Sequence, residues 1–552
     1  MTQTRVRIAH LAGPTATIQN TPPLVTSNKA RARHGLPLVE HADGTPAKFD
    51  VLRAQRLAAP VTIYVEQFSA HPLEADAAEL YGPPDGYVDA AGRFHTERTT
   101  KDDKPVYEVE LHPDDGLYPL PYMARQADGS AWEEECAFPG APPEKARQGF
   151  FPDGARSFEE IDRLHVGEKG TGNLIASKAD VTFYRVLPPA GYTKAEPPER
   201  RGVDFFPYKP YHLNAPAPRH GLARMVNAAT DILAGGRHDG AIWTEGSPVI
   251  EESMYWLNLL IDTTLPICGN AAQRPHGQIS NDGPKNIVDS VDYIASRVWA
   301  DEHGRNRAGV VLIAEQRVFA ARTVMKRDAR PGAYTATGGH GGVLGAAGHD
   351  GPPLLHYVPT TRHTYLSDVN LTRLPRETMG VRQTSDGIAL EPVRIKDDEG
   401  RLLESAIPKV SIVKDGGYSA DAENDVAREV DLIAAIASML ESAPLAGFVV
   451  EGLTPYGTMT SLAREKLMRS ALYSGIPVVR VGRGNTEGFA RLAPPFISGS
   501  NLTATKARLL LMAALMKLGS LPPARDPFHP TPQEDAATRE KAVLYQQIFD
   551  TH

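Results

Sequence analysis

Short apolar runs recur along the chain, each ending in polar or glycine-rich residues, and helical patterns follow most of them. RVRIAHLAG (5–13), DVTFYRVL (180–187), HDGAIW (238–243), TLPICGN (264–270) and AGVVLIAE (308–315) form a first set. PKVSIVK (408–414), AGFVVEG (446–452) and IPVVRVG (476–482) form a second. Between them HGLARMVNAATDILAGG (220–236), IEESMYWLNLLID (250–262) and NIVDSVDYIASRVWADEHG (286–304) read as helices. The last has apolar residues at 287, 288, 291, 294, 295, 298 and 299, an i, i+3, i+4 stripe. Strands alternating with helices predict βαβ units, hence an α/β fold with a mostly parallel sheet and helices on its faces.

Two regions break this rhythm. Residues 30 to about 165 are rich in Pro, Gly and Asp, with weak alternation in APVTIYVEQF and KPVYEVELH. The stretch is too long for a plain loop and predicts an inserted β-rich subdomain of hairpins. Residues 349–404 are irregular as well and end in a predicted hairpin that leads into the second set of strands. No internal repeat is visible.

Composition narrows the class. The chain has 552 residues, 41% hydrophobic and 23% charged, which suits a soluble globular protein of several domains. A net charge of −8 over that length argues against a large basic footprint for nucleic acid. Cys136 and Cys268 are too few for a disulfide framework or a cysteine zinc site, and they fit a reduced, cytoplasmic setting. The N-terminus lacks a signal-peptide apolar region, and no window is long enough to span a bilayer, so no membrane partner is expected. His349, His356 and His363 are evenly spaced, but their proline-rich surroundings match no metal spacing, and no metal is expected. TGGHGGVLG (337–345) misses the dinucleotide fingerprint, so no cofactor is expected.

Reactive residues are sought at the carboxyl ends of the strands, where open α/β sheets bind ligands. Three loops stand out. GPTATIQN follows the first run, TEGSPVIEES (244–253) puts Ser247 and Pro248 where a helix should begin, and RTVMKRD (322–328) puts Lys326 soon after a strand. A hydroxyl is a weak nucleophile until a base takes its proton, and a desolvated lysine can be that base. Each residue also has an ordinary explanation. Ser before Pro is a common helix N-cap. Lys326 beside Arg327 reads as a solvated charge, and Thr17 as a β-branched strand residue. A rival glycine loop, GTGNLIAS (170–177), directly precedes the ADVTFYRV run.

The order of these loops tips the balance. TEGSPVIEESMYWLNLLIDTTLPICGNAAQRPHGQISNDGPKNIVDSV resembles the bacterial type I/type II asparaginase–glutaminase family, which carries T-H-G-T-D-T-M-E-E-T, then G-A-x-R-P and S-x-D-G-P-x-N-L. Gly246, Glu251, Glu252, Arg274, Pro275, Ser280, Asp282, Gly283, Pro284 and Asn286 fall in step. VFAARTVMKRD resembles the family's H-x-A-R-x-V-x-K. IPKVSIVKDGGYSAD, AGFVVEGLTPYGT and SGIPVVRVGRGNTEGF resemble its C-terminal domain, and FISGSNLTATKARLLLMAALMKLG its closing K-A-R segment. The resemblance implies two domains. These are a larger parallel-sheet N-terminal domain over 1–365, holding the insertion at about 30–165, and a smaller C-terminal α/β domain over 405–552, with 366–404 between them.

It also implies an amide hydrolase with two Thr-centred groups. LAGPTATIQN aligns with A-T-G-G-T-I so that Thr17 takes the first Thr, while Ser247 stands for the second and Lys326 for the relay lysine. GTGNLIAS has Leu174 at the Thr position and precedes the family's second strand, so it reads as a connector at a helix end. Gly246, Glu245, Asn214, Lys29 and Glu487 are the candidate substrate-binding residues, Lys29 from a lid region that lacks the family's Tyr. The turn's backbone N–H groups are candidates for stabilising an oxyanion. The departures matter more than the matches: Thr15 and Ala16 replace two glycines, Glu245 replaces a His, and Pro248 replaces the relay Asp. In the family that carboxylate also holds the substrate's α-ammonium, and proline has neither charge nor N–H. The expected reaction is therefore hydrolysis of a carboxamide, ureide or cyclic imide lacking a free α-amino group, by Thr17 or Ser247 with Lys326 as base. A conventional L-asparaginase or glutaminase, with Glu245 as a displaced carboxylate, is the alternative. A catalytically silent binding protein on the same scaffold is another. The resemblance implies a homodimer or homotetramer, and a small-molecule partner rather than nucleic acid.

Overall fold

The computed structural model describes residues 6–12, 17–20, 52–56, 61–65, 84–88, 94–111, 117–121, 149–152, 179–185 and 219–552. The last span excludes 275–281, 329, 331, 338–341, 349–350, 362–363, 367–369, 419–423 and 485–489.

The larger sheet has eight strands: β1 (Val6–Ala12), β2 (Ala179–Arg185), β3 (Gly240–Thr244), β4 (Ile267–Asn270), β5 (Val311–Ala314), β6 (Arg317–Ala320), β7 (Val343–Ala346) and β8 (Leu354–Leu355). Their order is β2-β1-β3-β4-β5-β6-β7-β8. The first five in that order pair parallel, and the remaining pairs are antiparallel. Helices α1 (Gly221–Ala234), α2 (Ile250–Leu260) and α3 (Gly283–Ser296) alternate with β3, β4 and β5 along the chain.

Side chains alternate across a strand, so one buried on both faces must be apolar at every position. That is how β3 and β5 read. Ile8, Ile242, Cys268, Val311 and Ile313 join a core with Val288, Val291 and Ile294 of α3. Ala9, Leu11, Trp243, Leu312 and Ala314 join a second core with residues of α1 and α2. Each fully buried Leu, Ile or Val in such a layer contributes about 1.5–3 kcal/mol. Gly269 on β4 sets the sheet-to-helix distance on the α2 face: a Cβ there would stand 2.5 Å from Met254.

The helix predicted over 286–304 ends earlier, at Ser296, because Arg297 takes a left-handed conformation (φ 57°). Trp299, which continued the apolar stripe, folds back instead, and its Nε1 donates to Ile294 O at 3.0 Å.

The described strands between Leu52 and Pro152 pair antiparallel: Leu52–Arg56 with Leu117–Pro121, and Lys104–Leu111 with Val61–Val65 and Gly86–Val88. Gly149–Pro152 pairs with Thr17–Asn20, so the backbone at Thr17 begins a strand rather than lying in an open loop. The predicted hairpin inside 349–404 is Glu377–Thr384 with Gly387–Arg394, anchored where Val381 N donates to Pro444 O at 2.9 Å.

A separate parallel sheet follows: β9 (Lys409–Lys414), β10 (Ala446–Gly452), β11 (Val478–Gly482) and β12 (Ile497–Ser498), in that order. Its helices are α4 (Val430–Ser442), α5 (Leu462–Tyr473), α6 (Ala504–Leu518) and α7 (Pro532–Thr551). TPQE starts α7 with a capping box between Thr531 and Glu534 and with Pro532 in the first turn. Helix α6 is apolar almost all round, from Ala504 to Met516, because it packs on β9 and β10 on one side and on α2 on the other. Among the described residues, no helix is long and apolar enough to cross a membrane.

Candidate active site

The parallel part of the larger sheet has the order 2-1-3-4-5, which reverses between β1 and β3. Loops leaving adjacent strands at such a point diverge to opposite faces and leave a crevice at the carboxyl ends. Ala12 of β1 is in register with Thr244 of β3, so the carboxyl end of β1 lies beside the start of the turn Glu245–Gly246–Ser247.

The structure decides against the N-cap explanation of Ser247. Helix α2 begins at Ile250 with Val249 as its N-cap, and no side chain caps it. The turn is closed by backbone: Val249 N and Ile250 N both donate to Gly246 O. The Ser247 hydroxyl is held elsewhere, with Lys326 Nζ donating to its Oγ at 2.5 Å. Nor is Lys326 a solvated charge. It ends the short strand Val324–Lys326, opposite Tyr334 of Tyr334–Ala336, and is half-buried. Tyr334 Oη donates to Ser247 O at 3.1 Å, fixing the turn from the other side.

Electrostatics around this pair follow from burial. Desolvation lowers the Lys326 amine below the ordinary lysine range, while the carboxylates of Glu251 and Asp282 partly pull it back. Glu251 accepts the backbone N–H of Lys326 at 2.5 Å, and burial raises its own carboxyl above the usual range despite Lys506 and Lys326 nearby. Asp282 accepts from Gln273 N and Arg274 N, and from Asn286 Nδ2 at 3.2 Å. The result is a hydroxyl touched by an amine that gives up its proton more readily than a surface lysine would.

Among the described residues, the α3 face of the same strand ends is also polar but has no lysine–hydroxyl pair. His10 Nε2 lies 2.6 Å from Thr244 Oγ1, and burial pushes the imidazole down to about 3, which keeps it neutral. Asn270 Nδ2 donates to Asn286 O, Ser290 Oγ and Ile313 O, tying α3 to β4 and β5.

Of the residues singled out from sequence, Ser247, Gly246 and Lys326 come together. Glu245 is adjacent but buried, its Oε2 accepting from Trp243 Nε1 at 2.9 Å. Pro248 is exposed at the turn. Thr17 is placed by its backbone alone. Lys29, Asn214, Glu487, the GTGNLIAS stretch, His349 and His363 lie outside the described residues. Glu251 matched a motif in the sequence but was given no role there. Tyr334, Lys506 and His10 were missed, since no local spacing ties them to Ser247 or Lys326.

Fold and site together define an α/β protein with a lysine–hydroxyl pair at the switch point of a parallel sheet. Residues 209–338 match the family model described as "Asparaginase, N-terminal". The chain is 29% identical over 202 residues to a "Probable L-asparaginase" of Deinococcus radiodurans, covering 35% of this chain and 58% of the relative. It is 26% identical over 304 residues to "L-asparaginase 2" of Bacillus subtilis, covering 54% and 66%. A solved structure, "Crystal Structure of Probable Cytoplasmic L-asparaginase from Campylobacter jejuni", aligns with TM-score 0.44 at 21% identity, covering 68% of this chain and 87% of that one. Over these stretches the chain is distantly homologous to L-asparaginases. It spans less than two thirds of the length of these curated relatives.

Proposed function

We propose that this protein is an amidohydrolase that cleaves the C–N bond of a carboxamide by hydroxyl attack, with Lys326 as base. The observation that carries this is the 2.5 Å contact between Lys326 Nζ and Ser247 Oγ. Neutral Lys326 takes the hydroxyl proton as oxygen bonds to the amide carbonyl carbon. The tetrahedral adduct collapses to an ester as the C–N bond breaks, and Lys326 returns the proton to the departing amine. Water then hydrolyses the ester. The attacking hydroxyl is Ser247 itself, or Thr17 with Ser247 as the relay. In this reading 1–365 is the catalytic domain, 405–552 the closing domain, and the assembly a homodimer or homotetramer.

The names of the relatives put L-asparagine first among substrates. A specific observation favours a second reading, an amide, ureide or cyclic imide without a free α-amino group. Pro248 stands where the family has the carboxylate that holds the α-ammonium, and Glu245 is turned back onto Trp243 rather than replacing it. Ammonia release from L-asparagine, L-glutamine and their des-amino amides, measured side by side, separates the two. Faster turnover of the amino acids sinks the second reading, and no turnover of any amide or imide sinks both in favour of a silent binding protein. Mass spectrometry of an ester trapped by acid quench names the nucleophile.

A further inference from the structure

We infer that Lys506, on the buried helix of the C-terminal half, is a positioning residue that sets the Ser247–Lys326 contact; the inference rests on the role proposed for that pair. Lys506 is 1% exposed, and its ammonium donates to two backbone carbonyls, Glu251 O at 2.5 Å and Ala321 O at 2.6 Å. The first carbonyl is on α2, the helix that leaves the Ser247 turn. The second is on the segment that runs from β6 to Lys326. One cation therefore joins the two pieces of chain whose side chains must meet. Arg508, a half-turn further along α6, grips the same helix through Glu252 Oε2 at 2.5 Å.

A purely structural role does not call for a charge at this place. An apolar side chain of similar length would fill the space without desolvation cost, and exchanging buried cations for packed apolar groups is often neutral or stabilising. The ammonium has what a methionine lacks: several donors converging on two separate carbonyls, with the Tyr255 ring 5.2 Å away. The charged groups around it are the Glu251 and Glu252 carboxylates and the Arg322 guanidinium. Burial brings its pKa down to about 8.

The test compares wild type with Lys506→Met and Lys506→Arg, using two readouts. Misplacement of a catalytic pair by about 1 Å costs on the order of 100-fold, so Lys506→Met is expected to lower kcat by about that factor. KM should change less than about threefold, since the substrate is not touched, and Lys506→Arg should recover part of kcat. The second readout needs no substrate: the pH dependence of Lys326 labelling by trinitrobenzenesulfonate, read by peptide mass spectrometry. In Lys506→Met the Lys326 profile is expected to move up toward an ordinary lysine as the contact loosens. Wild-type kcat with an unchanged labelling profile overturns the inference. So does loss of fold in both variants, because a positioning residue must be removable without unfolding the chain. If wild type turns over no amide, the functional reading fails alone and the labelling profile still decides this one.

Discussion

The two faces of the larger sheet, compared at the carboxyl ends of β1 and β3, are both polar and do different work. On the α2 face, Ser247, Lys326, Glu251 and Lys506 bring two amines and a carboxylate into a partly dry setting. On the α3 face, His10 meets Thr244, and Asn270 meets Asn286 and Ser290, through neutral groups, with the Asp282 carboxylate reached only by Asn286 among these five. Buried charge shifts proton affinities and so creates a base, whereas a buried neutral network fixes backbone. Under the proposed function the first face carries the chemistry and the second supplies rigidity.

The largest effect tests the first half of that assignment. Lys326→Met is expected to cut ammonia release by about 10³-fold with the melting temperature nearly unchanged. Because the pair acts as a unit, Ser247→Ala combined with Lys326→Met should be no slower than the worse single variant. Additive losses would show that the two side chains act separately.

A smaller effect reads the charge. Glu251→Gln keeps an acceptor for the Lys326 N–H but removes the carboxylate that pulls the Lys326 pKa upward. The Lys326 pKa should then fall further, so the acid limb of the kcat–pH profile moves to lower pH while the plateau drops by about tenfold. A limb that stays in place would remove Lys326 as the titrating base.

The smallest effect on activity belongs to the α3 face. His10→Asn should leave kcat within about threefold and cost on the order of 1–3 kcal/mol of stability. The acid dependence carries the sign. The folded pKa is depressed to about 3 from 6.5, so the unfolded chain binds the proton first as pH falls. Wild-type stability is therefore lost between about pH 6.5 and about 3, and the variant should lack that slope in urea melts. If His10→Asn instead matches the kcat loss of Lys326→Met, the division between the faces fails.

Much of this was legible in the chain itself. The continuous apolar runs of β3, β4 and β5 and the helical stripes are local patterns, each with a local physical cause. Ser247 and Lys326 were also legible as candidates, because a turn after a strand and a lysine after another are visible one at a time. What the sequence left open was whether Ser247 caps its helix or meets a lysine, since both read as Ser-Pro before an apolar run. Only the tertiary structure decided it, by starting α2 at Ile250 and bringing Lys326, 79 residues away, to the hydroxyl. The parts of Glu251, Tyr334 and Lys506 were hidden for the same reason. They act through bonds that span from 75 to 255 residues, and no periodicity along a chain encodes a contact formed when separate elements pack.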